Sequence, residues 1–266
     1  VRIAGLIGLA ALLALALMRP AGGSRGAAAG GAQQDEPWVR PADLYQPINR
    51  RFEGLTMFRG NATRTFYGKG PVPRRPEVLW RYPGRPMCAV SPVGRRRRVW
   101  CGSGWTGQPA VVARESTVEV VFGAYDRSIH FLDGRTGRPL RPSFATGDII
   151  KGSVTVDPDG YPLVYSGSRD NYFHVVAIDR PQPTELWRLW AYDAPRQMWN
   201  DDWDGNAVVI DDYLFEGGEN GWFYVVKLNR RYDENGLVQV SPQVVVQFQA
   251  FDDQLLADLG HEEVSI

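Results

Sequence analysis

The residues best suited to chemistry lie in one short run, Asn200-Asp-Asp-Trp-Asp-Gly-Asn206. Asp202, Asp204 and Asn206 alternate around Gly205, an oxygen-rich turn of the kind a hard cation such as Ca²⁺ requires, and Asp201 and Glu219 are the further ligands such an ion would take. The complete EF-hand pattern is absent, since no glutamate stands at its later position. The simpler use of these residues is to cap strand ends and bond loop amides. Other polar residues recur at matched places: Asp126 and Arg127; Arg169, Asp170 and Asn171; Glu219 and Asn220; and, between them, Asp148 and Lys151. There is no Gly-x-Ser-x-Gly elbow, no His-Glu-x-x-His and no phosphate-cradling glycine loop, so no nucleophile or catalytic metal motif stands out. His130 and His174 occupy equivalent positions, which favours a packing role. Trp199, Trp203 and Trp222 lie beside the acidic run, where a ring can stack on a sugar or planar cofactor, although packing is the commoner use.

The elements that position these residues come from an internal repeat. Val121 to Asp133, Tyr165 to Asp179 and Phe215 to Asn229 each read as an apolar strand, a glycine, an Asp or Asn three residues on, and a second apolar strand. The anchors Gly123, Gly167 and Gly217 are 44 and 50 residues apart, the size of a four-stranded β-propeller blade. Three blades follow. The first uses Gln108 to Ala113, Val118 to Phe122, Ser128 to Leu132 and Leu140 to Phe144. The second uses Gly152 to Val156, Pro162 to Ser166, Tyr172 to Ile178 and Glu185 to Trp190. The third uses Asn206 to Ile210, Tyr213 to Glu216, Trp222 to Leu228 and Val244 to Phe248. Asp157-Pro-Asp-Gly160 and Asp211-Asp212 are the reversals between first and second strands. In such a fold the loops from second to third strand and from blade to blade gather on one face, which collects the polar residues named above.

Gly123-Ala-Tyr-Asp126 and Leu132-Asp133-Gly-Arg-Thr-Gly137 resemble the repeat of pyrroloquinoline-quinone-type β-propellers, Gly-x-x-Asp followed by Leu-Asp-x-x-Thr-Gly. Phe58 to Tyr67, Leu79 to Pro83 and Trp100 to Pro109 are similar to a group of exported bacterial propellers. The resemblance implies one of two kinds of protein. Quinone-dependent dehydrogenases hold pyrroloquinoline quinone and Ca²⁺ in the channel; non-catalytic propellers, the outer-membrane assembly lipoprotein among them, bind other proteins. The dehydrogenases carry adjacent cysteines over the quinone, which this chain lacks. The expected function is therefore an exported binding or scaffold propeller whose channel face meets a protein or small ligand. The alternative is a quinone-dependent dehydrogenase, or a fragment of one, with Ca²⁺ at the acidic rim.

Composition agrees. A hydrophobic fraction of 44% over 266 residues provides a core, and thirty basic against thirty acidic residues exclude a broadly basic nucleic-acid surface. Arg2 followed by the uncharged run Ile3 to Met18 and the small-residue tract Pro20 to Ala32 has the layout of an export signal, with a membrane anchor at residues 3–18 as the alternative. Periplasmic or extracellular location follows. Cys88 and Cys101, the only cysteines, are expected to form a disulfide there. Arg95 to Arg98, between them, reads as a solvated hairpin tip. The organisation expected is thus a signal or anchor over 1–32, an extended arm over 33–75 that packs on the surface, and propeller repeats over 76–266, incomplete at the C-terminus. Glu77 to Tyr82 is expected as an outer strand completing a last blade, Asp253 to Leu259 as a helical turn, and residues 260–266 as the entry to another inner strand.

Overall fold

The computed structural model describes residues 45–259, except 50, 52, 67, 69, 105, 106, 115 and 197–200. The signal or anchor segment, Trp199, Asn200 and the strand expected after Leu259 lie outside the described residues.

The architecture is all-β, built from antiparallel four-stranded blades of a β-propeller. The first blade runs β4 (Ala110–Arg114), β5 (Thr117–Ala124), β6 (Ser128–Asp133) and β7 (Phe144–Ala145), with β1 (Gly54–Leu55) added beside β4. The second is β8 (Thr155–Val156), β9 (Leu163–Gly167), β10 (Tyr172–Ala177) and β11 (Thr184–Trp190). The third is β12 (Val208–Ile210), β13 (Tyr213–Gly217), β14 (Trp222–Lys227) and β17 (Gln243–Gln249), with a small hairpin of β15 (Arg231–Tyr232) and β16 (Val238–Gln239) inserted before its last strand. Each blade is a meander, because tight turns join strands of alternating direction. Asp211 and Asp212 both take positive φ in the two-residue turn from β12 to β13, as a primed hairpin turn requires.

Burial grades across each sheet. Every residue of β9 is buried, while β17 is exposed or half-buried throughout. The middle strands are covered because blade packs on blade: Val121, Phe131, Ile150, Val154, Val156 and Val164 form a core between the first two, and Tyr165, Phe173, Trp203, Val209, Leu214 and Tyr224 a core between the second and third. The repeat glycines serve this contact. A Cβ on Gly123 would lie 2.1 Å from the Ile150 side chain, and one on Gly167 would lie 2.1 Å from the Trp203 carbonyl oxygen. Their φ angles are not left-handed. That conformation falls instead four residues later, at Arg127 (65°), Asn171 (74°) and Gly221 (82°), where the chain turns back into the third strand.

Two expectations for the N-terminal part differ from what is observed. The stretch before residue 62 does not pack only on the surface: Glu53 O accepts from Ala113 N at 2.7 Å, Thr56 O from Val156 N at 2.8 Å, and Phe58 N donates to Asn206 Oδ1 at 2.9 Å. It therefore satisfies donors on the inner edges of the first two blades and is itself held by the Asn206 side chain at the entry to the third. Glu77 to Tyr82 is not a strand; prolines at 76 and 83 bound it on both sides. Trp80 instead donates from Nε1 to Gly134 O at 3.0 Å and lies against Gly137 in the turn after β6. The hairpin of β2 (Cys88–Val93) and β3 (Arg96–Cys101) stands as its own two-stranded sheet, closed by the expected Cys88–Cys101 disulfide. The helix α1 spans Asp253–Leu259.

Candidate functional site

The turns from second to third strand and the blade-to-blade segments interlock on one face. From the first blade, Arg127 O accepts from Thr146 N at 2.8 Å, and Arg127 Nη2 donates to Val90 O of the hairpin at 2.7 Å. Its Nε lies 3.9 Å from Asp148 Oδ1. From the second, Asp170 Oδ2 accepts from Gly147 N at 2.7 Å, and Arg169 N donates to Ile149 O at 3.0 Å. Arg169 Nε forms an ion pair with Asp202 Oδ2, Lys151 Nζ another with Asp204 Oδ2, and Glu219 N donates to Asp202 O at 3.1 Å. The structure thus brings together nearly all the predicted rim residues, as a lattice of loop-to-loop bonds.

That lattice uses the oxygens a cation would need. Asp202 and Asp204 face different cations, and the Asn206 amide is held elsewhere: Oδ1 accepts from Phe58 N and Arg64 Nη1, and Nδ2 donates to Ser153 O and Thr155 Oγ1. Asp201 pairs with Tyr192, pushing the phenol up to about 12 through their hydrogen bond. Among the described residues no three metal-ligating side chains of the His, Cys, Asp and Glu types converge. In the Asp201, Asp202, Asp204 and Asn206 grouping, one Asp202 oxygen and one Asp204 oxygen are thus taken up by cationic side chains, while Asp204 Oδ1 is buried without a hydrogen-bond partner. A quinone and Ca²⁺ fit no better, since the two cysteines are bridged thirteen residues apart instead of lying adjacent.

Trp203, a candidate for the ligand face, takes the commoner packing role instead. It is fully buried, its ring 5.8 Å from Phe173 and 5.4 Å from Tyr224, with Nε1 donating to Asn171 O at 3.1 Å. It cements two blades and offers no ring to a ligand. Asn220 is equally buried, donating to Ala191 O and Tyr224 Oη at 2.8 Å each.

The repeated acids brace the blades. Asp126 Oδ1 accepts from His130 Nε2 at 3.0 Å, and His130 Nδ1 faces Ser143 Oγ at 2.8 Å and Tyr82 Oη at 3.2 Å. This has the order of an Asp-His-Ser relay. In the next blade the same chain runs Asp170, His174, Glu185, at 3.2 and 2.5 Å, and ends on a group with no nucleophilic hydroxyl; in the third it is Asn220 and Tyr224. What recurs is a tie from turn to strand, so its role is architectural. Burial opposes charging His174, but hydrogen bonds to Asp170 and Glu185 outweigh it and raise its pKa.

Three polar groups escaped sequence reasoning. Glu216, on β13, is buried with Oε1 unpartnered, and desolvation, only partly opposed by Arg64, lifts its carboxyl to about 8. Arg64 reaches across from the N-terminal stretch to Phe58 O at 2.9 Å and to the Asn206 carbonyl at 2.5 Å. Arg230 gathers acids on the opposite face. A shallow cleft of about 440 Å³ lies beside the hairpin, lined by Val99, Trp100, Cys101, Ser103, Gly104 and Tyr125.

No family model matches this chain, and no curated protein matches it. Among solved structures, the crystal structure of BamB from Moraxella catarrhalis is similar to it at 15% identity and a TM-score of 0.32, over 51% of this chain and 51% of that one. The chain spans about half the length of that structure.

Proposed function

We propose that this chain is an exported β-propeller of the pyrroloquinoline-quinone-type repeat superfamily that works by binding, presenting its loop face to a protein or small ligand. The observation that carries the reading is the interlocking of that face: Arg169 with Asp202 and Lys151 with Asp204 tie the turns of successive blades through buried ion pairs. A face whose charged groups neutralise one another is rigid and preorganised, which lowers the ordering cost of association. Export is supported by the disulfide and by the apolar run after Arg2.

Site-specific photo-crosslinkers test this. Placed at Glu219 on the loop face, they should capture a partner or ligand from the native compartment, while probes at Glu234 or Asn235 beyond β15 should not. Capture only from Glu234 and Asn235, or dye reduction by the protein loaded with pyrroloquinoline quinone and Ca²⁺, would overturn the reading.

A further inference from the structure

The arginine run belongs to none of this. Residues 78–114 contain seven arginines and no aspartate, glutamate or lysine, although the thirty basic and thirty acidic residues of the whole chain balance. Four of them are contiguous: Arg95 in the turn of the Cys88–Cys101 hairpin, then Arg96, Arg97 and Arg98 on β3. All four are exposed, and none makes an ion pair within the described residues. The base of the hairpin is fixed by the disulfide, by Gly102 N to Met87 O and Tyr125 N to Gly102 O at 2.9 Å each, and by Arg127 bonding Val90 O. A rigid stem therefore presents an uncompensated cationic tip.

Its faces say what it meets. Register pairs Val93 with Arg96, Pro92 with Arg97, Ser91 with Arg98 and Val90 with Val99. Strand alternation then sends Arg97 to the side of Pro92, Val90 and Val99, and Arg96 and Arg98 to the other. A peptide in a groove touches one side of a hairpin and meets only part of this charge. A plane of diffuse negative charge met tip-first takes all four guanidinium groups, each shaped to bond phosphate oxygens in pairs. Val99 is 68% exposed and Val90 37% exposed on the same outward face, apolar surface that a headgroup layer accommodates. Trp100, the hairpin's one aromatic ring, packs on Tyr125 at 5.6 Å and is not free to stack on bases.

We infer that the Cys88–Cys101 hairpin is a docking element for an anionic phospholipid surface, with Arg95 to Arg98 on the phosphates and Val90 and Val99 in the headgroup layer.

The test is flotation of the full chain with vesicles of phosphatidylcholine alone and with about 30 mol % phosphatidylglycerol. Using both separates this contact from any insertion of the Ile3 to Met18 run, which does not need anionic lipid. With about 1 kcal/mol per arginine at such a surface, the variant carrying R95S, R96S, R97S and R98S should lose on the order of 100- to 1,000-fold in partitioning to the anionic vesicles and change little on neutral ones. Raising NaCl to about 0.5 M should mimic that loss in the unmodified protein, a readout that needs no variant to fold. Equal binding of the unmodified protein to both vesicles would overturn the proposal. So would anionic binding that survives the four substitutions, or a preference for poly-L-glutamate with indifference to the vesicles, which would assign the tip to an acidic protein.

Discussion

Arg230 Nη1 donates to Asp157 Oδ2 at 2.6 Å, and neither side chain is more than 3% exposed. The same guanidinium reaches Asp159 Oδ2 at 2.8 Å and Asp212 Oδ1 at 2.9 Å, and lies 4.8 Å from the Tyr161 ring centre. Tyr165 Oη donates to the same Asp157 oxygen at 2.7 Å. Asp157 and Asp159 belong to the first turn of the second blade and Asp212 to that of the third, so one arginine staples two blades on the face opposite the candidate site. Removing it strands a buried carboxylate. Arg230→Met should cost about 3–5 kcal/mol in urea unfolding, and adding Asp157→Asn should recover part of that loss, because the pair is removed together. A loss under about 1 kcal/mol would mean the staple does not hold the blades.

Glu216 makes a prediction about pH. Its folded carboxyl titrates near 8, raised by burial from an ordinary 4.5. The folded protein therefore binds a proton that the unfolded chain has released, and the stabilisation is complete below about 4.5 and lost as pH rises through 8. Asp202, lifted to about 6 chiefly by burial against the pull of Arg169, and His174, also raised, have the same sign at lower and intermediate pH. Stability should accordingly fall between pH 5 and pH 9, by roughly 4 kcal/mol for Glu216 alone. Glu216→Gln preserves the shape without the titration. Urea midpoints measured across that range should flatten above pH 7 in the variant; an unchanged slope would remove Glu216 as the source.

The ion pair between Arg169 and Asp202 joins a turn of the second blade to the segment entering the third. If it locks the loop face, the single substitutions Arg169→Met and Asp202→Asn should each cost more than their share. A double-mutant cycle should give a coupling of about 1–3 kcal/mol. Hydrogen exchange would locate it: amides of 146–149 and 202–205 should lose protection together, while the Arg230 side keeps its protection. Exchange that spreads evenly over both faces would contradict a local lock.

Where the sequence was readable and where it was not has a physical basis. Apolar runs anchored on Gly123, Gly167 and Gly217 locate the blade strands to within a few residues, since a repeat supplies three readings of one pattern. The two-residue strands Gly54–Leu55, Arg231–Tyr232 and Val238–Gln239 have no periodicity to detect. At the site, Asp170 was legible as a turn acid because it bonds the Tyr172 amide that follows it, whereas Asp126 turns to His130 instead. Trp203 was not: a tryptophan among aspartates reads as surface until Gly167, where a Cβ would strike the Trp203 backbone carbonyl, is seen beside it. Glu216 and Arg64 come from segments about 150 residues apart, and only the N-terminal stretch crossing the inner edges brings them near. Glu216 did leave one trace, an acid inside the apolar strand Tyr-Leu-Phe-Glu-Gly.

Reduction of the disulfide should act locally. Closing a loop of this length is worth about 3 kcal/mol when the chain it constrains is otherwise free. Here the bridged strands form an isolated two-stranded sheet, and a hairpin of that kind is marginal without a staple. The expected result is therefore an unlatched hairpin on intact blades, since the blade cores include no residue of β2 or β3. Trypsin reports this directly, because the four arginines are its cleavage sites and β pairing protects the backbone of three of them. Cleavage between Arg96 and Val99 should accelerate on the order of 10-fold or more after reduction, or in Cys88→Ser with Cys101→Ser, in proportion to the open fraction. The global free energy of unfolding in urea should change by less than about 1 kcal/mol, because the hairpin opens as a unit separate from the blades. Loss of the whole cooperative transition on reduction would show that the hairpin is integral to the blades, and the Arg127 to Val90 contact would then be its route.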